Sequence, residues 1–114
     1  MSQKDERIAL YIANAAELGL GLSDDLISKI TDGLGPSIYN NADSETVACT
    51  QKSELDTIKT NFLVKKLGIS ASDEVMDAAI KSTCEKMGNS NRNKYRALFY
   101  ALLVKEFGKE SVYA

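Results

Sequence analysis

Few side chains in this 114-residue chain have the type and spacing to do chemistry, and the missing ones decide most. The sequence contains no histidine. That closes the Ser–His and Cys–His nucleophile pairs, zinc sites of the His-containing type, and the usual general base near neutral pH. Two carboxylate pairs, Asp24/Asp25 and Asp73/Glu74, look like catalytic or metal-binding acids. Each follows a serine at the start of an expected helix, where a carboxylate stabilises by about 0.3–1 kcal/mol against the positive dipole end. Asp73 and Asp77 also share a helix face at i,i+4, and a hard cation could bridge them. No loop supplies the six or more oxygens that calcium takes, so helix-end electrostatics is the expected role, and neither metal nor cofactor is expected. Gly33-Leu34-Gly35-Pro36 lacks the preceding strand and the Gly-Lys-Ser/Thr ending of a phosphate loop and reads as a helix stop with a proline turn. Tyr39-Asn40-Asn41 after it could touch a ligand, but reads better as a loop packed by its own tyrosine. Cys49 and Cys84 fall in no close-spaced metal or redox motif, and in a reducing compartment they are expected to be buried thiols.

The strongest functional signal is basic. Lys86, Arg92, Lys94, Arg96 and Lys105 follow one another with no acidic residue between Glu85 and Glu106. Ser90, Asn91 and Asn93 add hydrogen-bonding side chains beside an expected helix start, whose first amides lack intrahelical partners and attract anions. Ser90, Asn91, Arg92, Asn93, Lys94 and Arg96 are therefore the candidate anion-binding residues. Arg92 and Arg96, four apart, would share a face suited to bidentate phosphate contact. The plainer alternative is that Ser90 or Asn91 caps the helix, and the basic side chains brace the fold against an acidic half. Residues 1–56 hold ten acidic and four basic side chains, residues 57–114 six acidic and ten basic. That asymmetry suits either internal neutralisation or association with another molecule.

These residues need elements to place them, and the sequence punctuates five helices. Ser2 can cap a first helix to about Leu18, stopped by Gly19, with Ile8, Tyr11, Ile12, Ala15 and Leu18 on one face. Ser23 caps a second, with Leu26, Ile27 and Ile30 apolar. From Gly33 to about Cys49 the pattern is irregular and reads as a long ordered loop. A third helix starts near Ser53, where Ser53-x-x-Asp56 is a weak capping box, and runs through Leu55, Ile58, Phe62 and Leu63 to Gly68. Ser72 caps a fourth, lined by Val75, Met76, Ala79, Ile80, Thr83 and Met87 and ended by Gly88. The fifth runs from Ser90 or Asn91 to Gly108, and its middle, 97–104, is apolar all round, which demands neighbours on several sides. The expected fold is an all-α, compact, single-domain bundle of about five helices spanning 1–114, with the C-terminal helix central. Leu18-Gly19 through Leu26 also aligns without a gap on Leu67-Gly68 through Val75, which either duplication or repeated use of the same stop and cap signals explains.

Gly33-Leu34-Gly35-Pro36-Ser37-Ile38-Tyr39-Asn40, Ser90-Asn91-Arg92-Asn93-Lys94-Tyr95-Arg96-Ala97 and Phe107-Gly108-Lys109-Glu110-Ser111-Val112 together resemble a family of short bacterial proteins known as a domain of unknown function. The resemblance implies a bacterial cytoplasmic helical protein and carries no activity or site residues with it. Composition agrees with a globular chain at 44% apolar and 26% charged residues. No apolar run approaches the roughly 20 residues that span a bilayer, and the N-terminus shows no signal-type segment, so a soluble, cytoplasmic protein with no membrane partner is expected. The expected function is a non-catalytic interaction or structural module, not an enzyme, with an unknown protein partner or self-association. The alternative is an anion- or nucleic-acid-binding module using the fifth helix start.

Overall fold

The computed structural model describes residues 3–35, 45–88 and 94–113. Ser2, Pro36–Asn41 and Ser90–Asn93, and the expectations placed on them, lie outside the described residues. Among the described residues, five α-helices follow in order: α1 Gln3–Leu18, α2 Asp24–Leu34, α3 Lys52–Thr57, α4 Asp73–Met87 and α5 Arg96–Glu106. A π-helix, Ile58–Lys66, continues α3 directly, and a 3₁₀ turn, Glu110–Tyr113, closes the chain. The described residues form no strand beyond an isolated antiparallel bridge, Thr46 with Tyr95. The radius of gyration is 13.1 Å, against about 13 Å for a compact domain of this length.

The expected punctuation works as physics. Ser23 and Ser72 are extended residues whose hydroxyls accept from the amides of Leu26 at 3.1 Å and Val75 at 3.3 Å. Gly19 and Gly68 stop the preceding helices at φ 64° and 66°, a left-handed conformation that an L side chain resists. The two aligned segments of sequence are thus two copies of one junction: glycine stop, short link, serine cap.

α5 is the centre. Ala97, Leu98, Phe99, Ala101, Leu102, Leu103 and Val104 are all buried, and the helix packs on α1, α2 and α4. Tyr11 and Ala15 of α1, Leu26, Ile27 and Ile30 of α2, and Met76, Ile80 and Met87 of α4 join it in one core. Thr31 and Thr83 are buried too, and each donates its hydroxyl to the carbonyl four residues back, Ile27 at 2.7 Å and Ala79 at 2.8 Å, which removes the cost of burying it.

The structure corrects four local expectations. α2 runs through Gly33 to Leu34, and Gly35 at φ 77° ends it. Gln51, not Ser53, occupies the N-cap of α3, and the Ser53 carbonyl accepts the Thr57 hydroxyl instead. Val75 stands exposed in the first turn of α4 rather than inside. The fourth is the start of α5, which begins at Arg96 and not at Ser90 or Asn91. Residues 94–95 are extended because the Lys94 carbonyl accepts the Val47 amide at 2.8 Å and Tyr95 bridges to Thr46. Pairing with a distant segment wins over local helix propensity there.

The π-helix has its own cause. Its buried residues are Ile58, Phe62 and Leu63, followed by buried Leu67, whose amide donates to the Phe62 carbonyl at 2.9 Å across five residues. That wider turn keeps these apolar groups on one side and sets Phe62 against Tyr100 of α5, ring centroids 3.9 Å apart.

Since Leu102 is 4% exposed at the heart of this packing, Leu102→Ala should cost about 2–5 kcal/mol. Urea unfolding reads this directly; a midpoint unchanged from the parent would contradict the central position of α5.

Candidate functional site

A short segment, residues 45–51, organises the region where the sequence placed its functional signal. It enters along α1: the Tyr11 hydroxyl donates to Glu45 at 2.7 Å, and Arg7 lies 3.2 Å from the same carboxylate. Val47 then plugs into the core, and the 46–47 backbone pairs with 94–95. Arg96 sits across this seam. Its guanidinium donates to the Thr46 carbonyl at 3.2 Å, to the Tyr100 hydroxyl at 3.1 Å and to Glu54 at 2.5 Å. One planar group thus ties the 45–51 segment to α3 and to α5. Burial works against its charge, yet Tyr100 and Glu54 together hold its pKa above the ordinary arginine value. Burial also pushes the Tyr11 phenol well above the usual tyrosine value, and Glu45 adds to it by accepting the hydrogen bond and by its charge.

At its far end the segment is joined covalently. Cys49 and Cys84 form a disulfide, with Cα atoms 6.1 Å apart. The expectation of two reduced thiols is therefore overturned. The reason is spatial: the cysteines are 35 positions apart in sequence, and only the folding of 45–51 against α4 brings their Cα atoms within disulfide range.

The disulfide forms part of the wall of an open cleft of about 600 Å³. Leu55 of α3 and Ile80 of α4 supply apolar lining; Lys52, Asp56, Asp77, Lys81 and Glu85 supply charges of both signs. Lys94 also lines it, although only 8% of its surface is exposed. The volume lies in the range of small-molecule and side-chain-binding clefts, and the mix of an apolar wall with a few polar groups is what such sites use.

The candidate anion residues are thus divided. Ser90, Asn91, Arg92 and Asn93 lie outside the described residues; Lys94 faces the cleft; Arg96 is engaged in the 45–51 seam. A shared helix face for Arg92 and Arg96 would need residues 92–96 to be helical, and Lys94 and Tyr95 are not. Tyr95 packs against Tyr11 at 4.9 Å between ring centroids. The carboxylates have ordinary partners. Lys59 lies 3.1 Å from Asp77 and 3.9 Å from Asp73, so a lysine ammonium bridges the pair that could have held a cation, and the Asp77 bond raises the Lys59 pKa. Asp25 pairs with Lys29 one turn on, at 3.1 Å. Among the described residues, no three Cys, Asp or Glu side chains are grouped to hold a metal.

Over residues 6–111 the sequence matches DUF2853, a protein of unknown function. The chain belongs to the DUF2853 family. No curated protein matches it in sequence. Membership covers nearly all of the chain, so the cleft, the disulfide and the Arg96 seam all fall inside the family region.

Protein purified without reductant should contain no free thiol on intact-mass analysis. Cys49→Ala/Cys84→Ala should lower stability by about 3–4 kcal/mol, the chain-entropy value for a loop of this length; an unchanged urea midpoint would show that the crosslink does not constrain the chain. Tyr11 gives a pH signature. Its folded pKa is raised from the ordinary 10.0, so the folded state holds the phenol proton more tightly than the unfolded one. The stabilisation is complete below about pH 10 and is lost as pH rises further. Tyr11→Phe should cost about 1.5–3 kcal/mol at neutral pH, the usual worth of a hydrogen bond to a charged group. It should also flatten the alkaline fall in stability, measured by urea unfolding from pH 8 to 11 (approximate limits set by the tyrosine range).

Proposed function

We propose that this DUF2853 domain is a non-catalytic interaction module that receives a segment of a partner protein in the Cys49–Cys84 cleft. The observation that carries the reading is the lining of that cleft, where Leu55, Ile80 and the disulfide stand alongside lysines and carboxylates. Apolar contact supplies affinity in such a site, and a rim of mixed charge selects orientation and partner. A non-catalytic role is favoured by composition: histidine is absent from the sequence, and both thiols are consumed by the crosslink. The family resemblance supports placing the protein in a bacterial cytoplasm.

A second reading, anion or nucleic-acid binding, is favoured by one feature. Lys52, Lys81 and Lys94 all line the same cleft. Lys94 is also one of the candidate anion-binding residues.

Capture from extract of the native cell separates the two. Lys52 and Lys81 are exposed, so Lys52→Glu/Lys81→Glu should fold with stability changed by only about 0.5 kcal/mol per site. The parent should retain a protein partner after nuclease treatment, and the double variant should lose it. Equal capture by both would remove the cleft from the interaction. Capture that vanishes with nuclease and weakens steeply with salt would replace the protein partner by a nucleic acid. Sedimentation of the purified chain over a wide concentration range tests whether the partner is a second copy.

A further inference from the structure

A disulfide that serves only to staple a fold gains nothing by lining a ligand-sized opening, and this one does. Cys84 sits on α4 and is 8% exposed, whereas Cys49, in the 45–51 segment, is half-buried. Cys49 is thus the more exposed residue of the pair. Lys52 and Lys81 stand exposed at the rim, where they can meet carboxylates, and Asp56 and Glu85 can meet an ammonium. Asp77 is already matched by Lys59. The ligand chemistry that uses all of these together is a small thiol carrying both carboxylate and ammonium groups, a cysteine-containing peptide of a few residues.

We propose that the cleft is a thiol-exchange site, in which a zwitterionic low-molecular-weight thiol binds among Lys52, Lys81, Asp56 and Glu85 and forms a mixed disulfide with Cys49. The thiolate of the ligand attacks Cys49 Sγ. The Cys49–Cys84 bond breaks, and its electron pair leaves on Cys84 Sγ, which takes a proton from water. The product is ligand–S–S–Cys49 and a Cys84 thiol. A second thiol molecule attacks the mixed disulfide and releases the oxidised ligand dimer and a Cys49 thiol, so two ligand thiols supply the two electrons. The Glu45, Val47 and Arg96 fastenings stay in place, so exchange frees only the end of the segment that borders the cleft. Disulfides in reducing compartments are usually transient and redox-active, and the more exposed ones are the more easily reduced. The inference rests on the cleft being a binding site, the same premise as the partner reading.

Glutathione is the probe, and 2-mercaptoethanol is the uncharged control. The oxidised full chain is mixed with each thiol, quenched with acid and analysed by intact mass and peptide mapping, folded and in urea. In the folded chain, glutathione should attack within about a hundredfold of its rate on the unfolded chain, and the adduct should map to Cys49. Its advantage over 2-mercaptoethanol should be at least about threefold larger in the folded chain than in urea, a modest electrostatic gain. Lys52→Gln/Lys81→Gln should erase that advantage. Exchange that proceeds only as fast as global unfolding, an adduct on Cys84, or a glutathione preference that ignores both lysines each overturns the proposal. Exchange failing while partner capture persists leaves the interaction reading standing alone; exchange without capture leaves the thiol site standing alone.

Discussion

The seven buried residues of α5 impose the constraint from which the rest of the molecule follows. A helix apolar on every side cannot lie on a surface; each face must be covered, and each cover must come from a different part of the chain. α1 and α2 close one side and α4 another, while the π-helix continuing α3 brings Phe62 against Tyr100. At the N-terminal end of α5 the 45–51 segment inserts Val47 and pairs with 94–95. The same segment passes α4 on its way into α3, and the cleft lies beside that crossing.

Covering an end with irregular backbone creates polar groups that need partners, and the seam shows how they are met. The Val47 amide and the Lys94 carbonyl satisfy each other. The Thr46 carbonyl receives Arg96, and the rest of that guanidinium is matched by Glu54 and Tyr100. A half-buried arginine with a carboxylate at hydrogen-bond distance is a strong local constraint, because removing either partner strands the other away from water. This pair also links the acidic and basic halves of the chain. Others stay within a half, such as Lys4–Asp32 and Arg7–Glu45 in the first and Lys59–Asp77 and Lys86–Glu106 in the second.

What the sequence showed and what it hid divide along one line. Signals that act within a few residues were legible: the Ser23 and Ser72 caps, the Gly19 and Gly68 stops, and the all-round apolar 97–104 stretch that placed α5 in the centre. Features set by distant residues were not. Asn and Ser near position 90 resemble a helix start, yet Tyr95 is held extended by Thr46, so α5 begins later. Ile58, Phe62, Leu63 and Leu67 are spaced acceptably for an α-helix, and only their packing selects the wider turn. Of the candidate anion residues that the structure describes, Lys94 lines the cleft. Its other residues, Lys52, Leu55, Asp77 and Ile80 among them, are spread over two helices with no motif to join them. The even number of cysteines was a hint at pairing, but without the fold it could not be told from two incidental thiols.

The crosslink also changes what kind of object the chain is. Joining Cys49 to Cys84 turns α3, the π-helix and most of α4 into a covalent macrocycle, with an N-terminal arm and a C-terminal arm attached at neighbouring points. A protease that cuts anywhere inside that ring opens it without separating the pieces, whereas a cut in either arm sheds a fragment. The two arms carry α1, α2 and α5, while the ring carries Ile58, Phe62, Leu63, Met76 and Ile80, so one core is shared between a segment that the crosslink closes and arms that a single cut can shed.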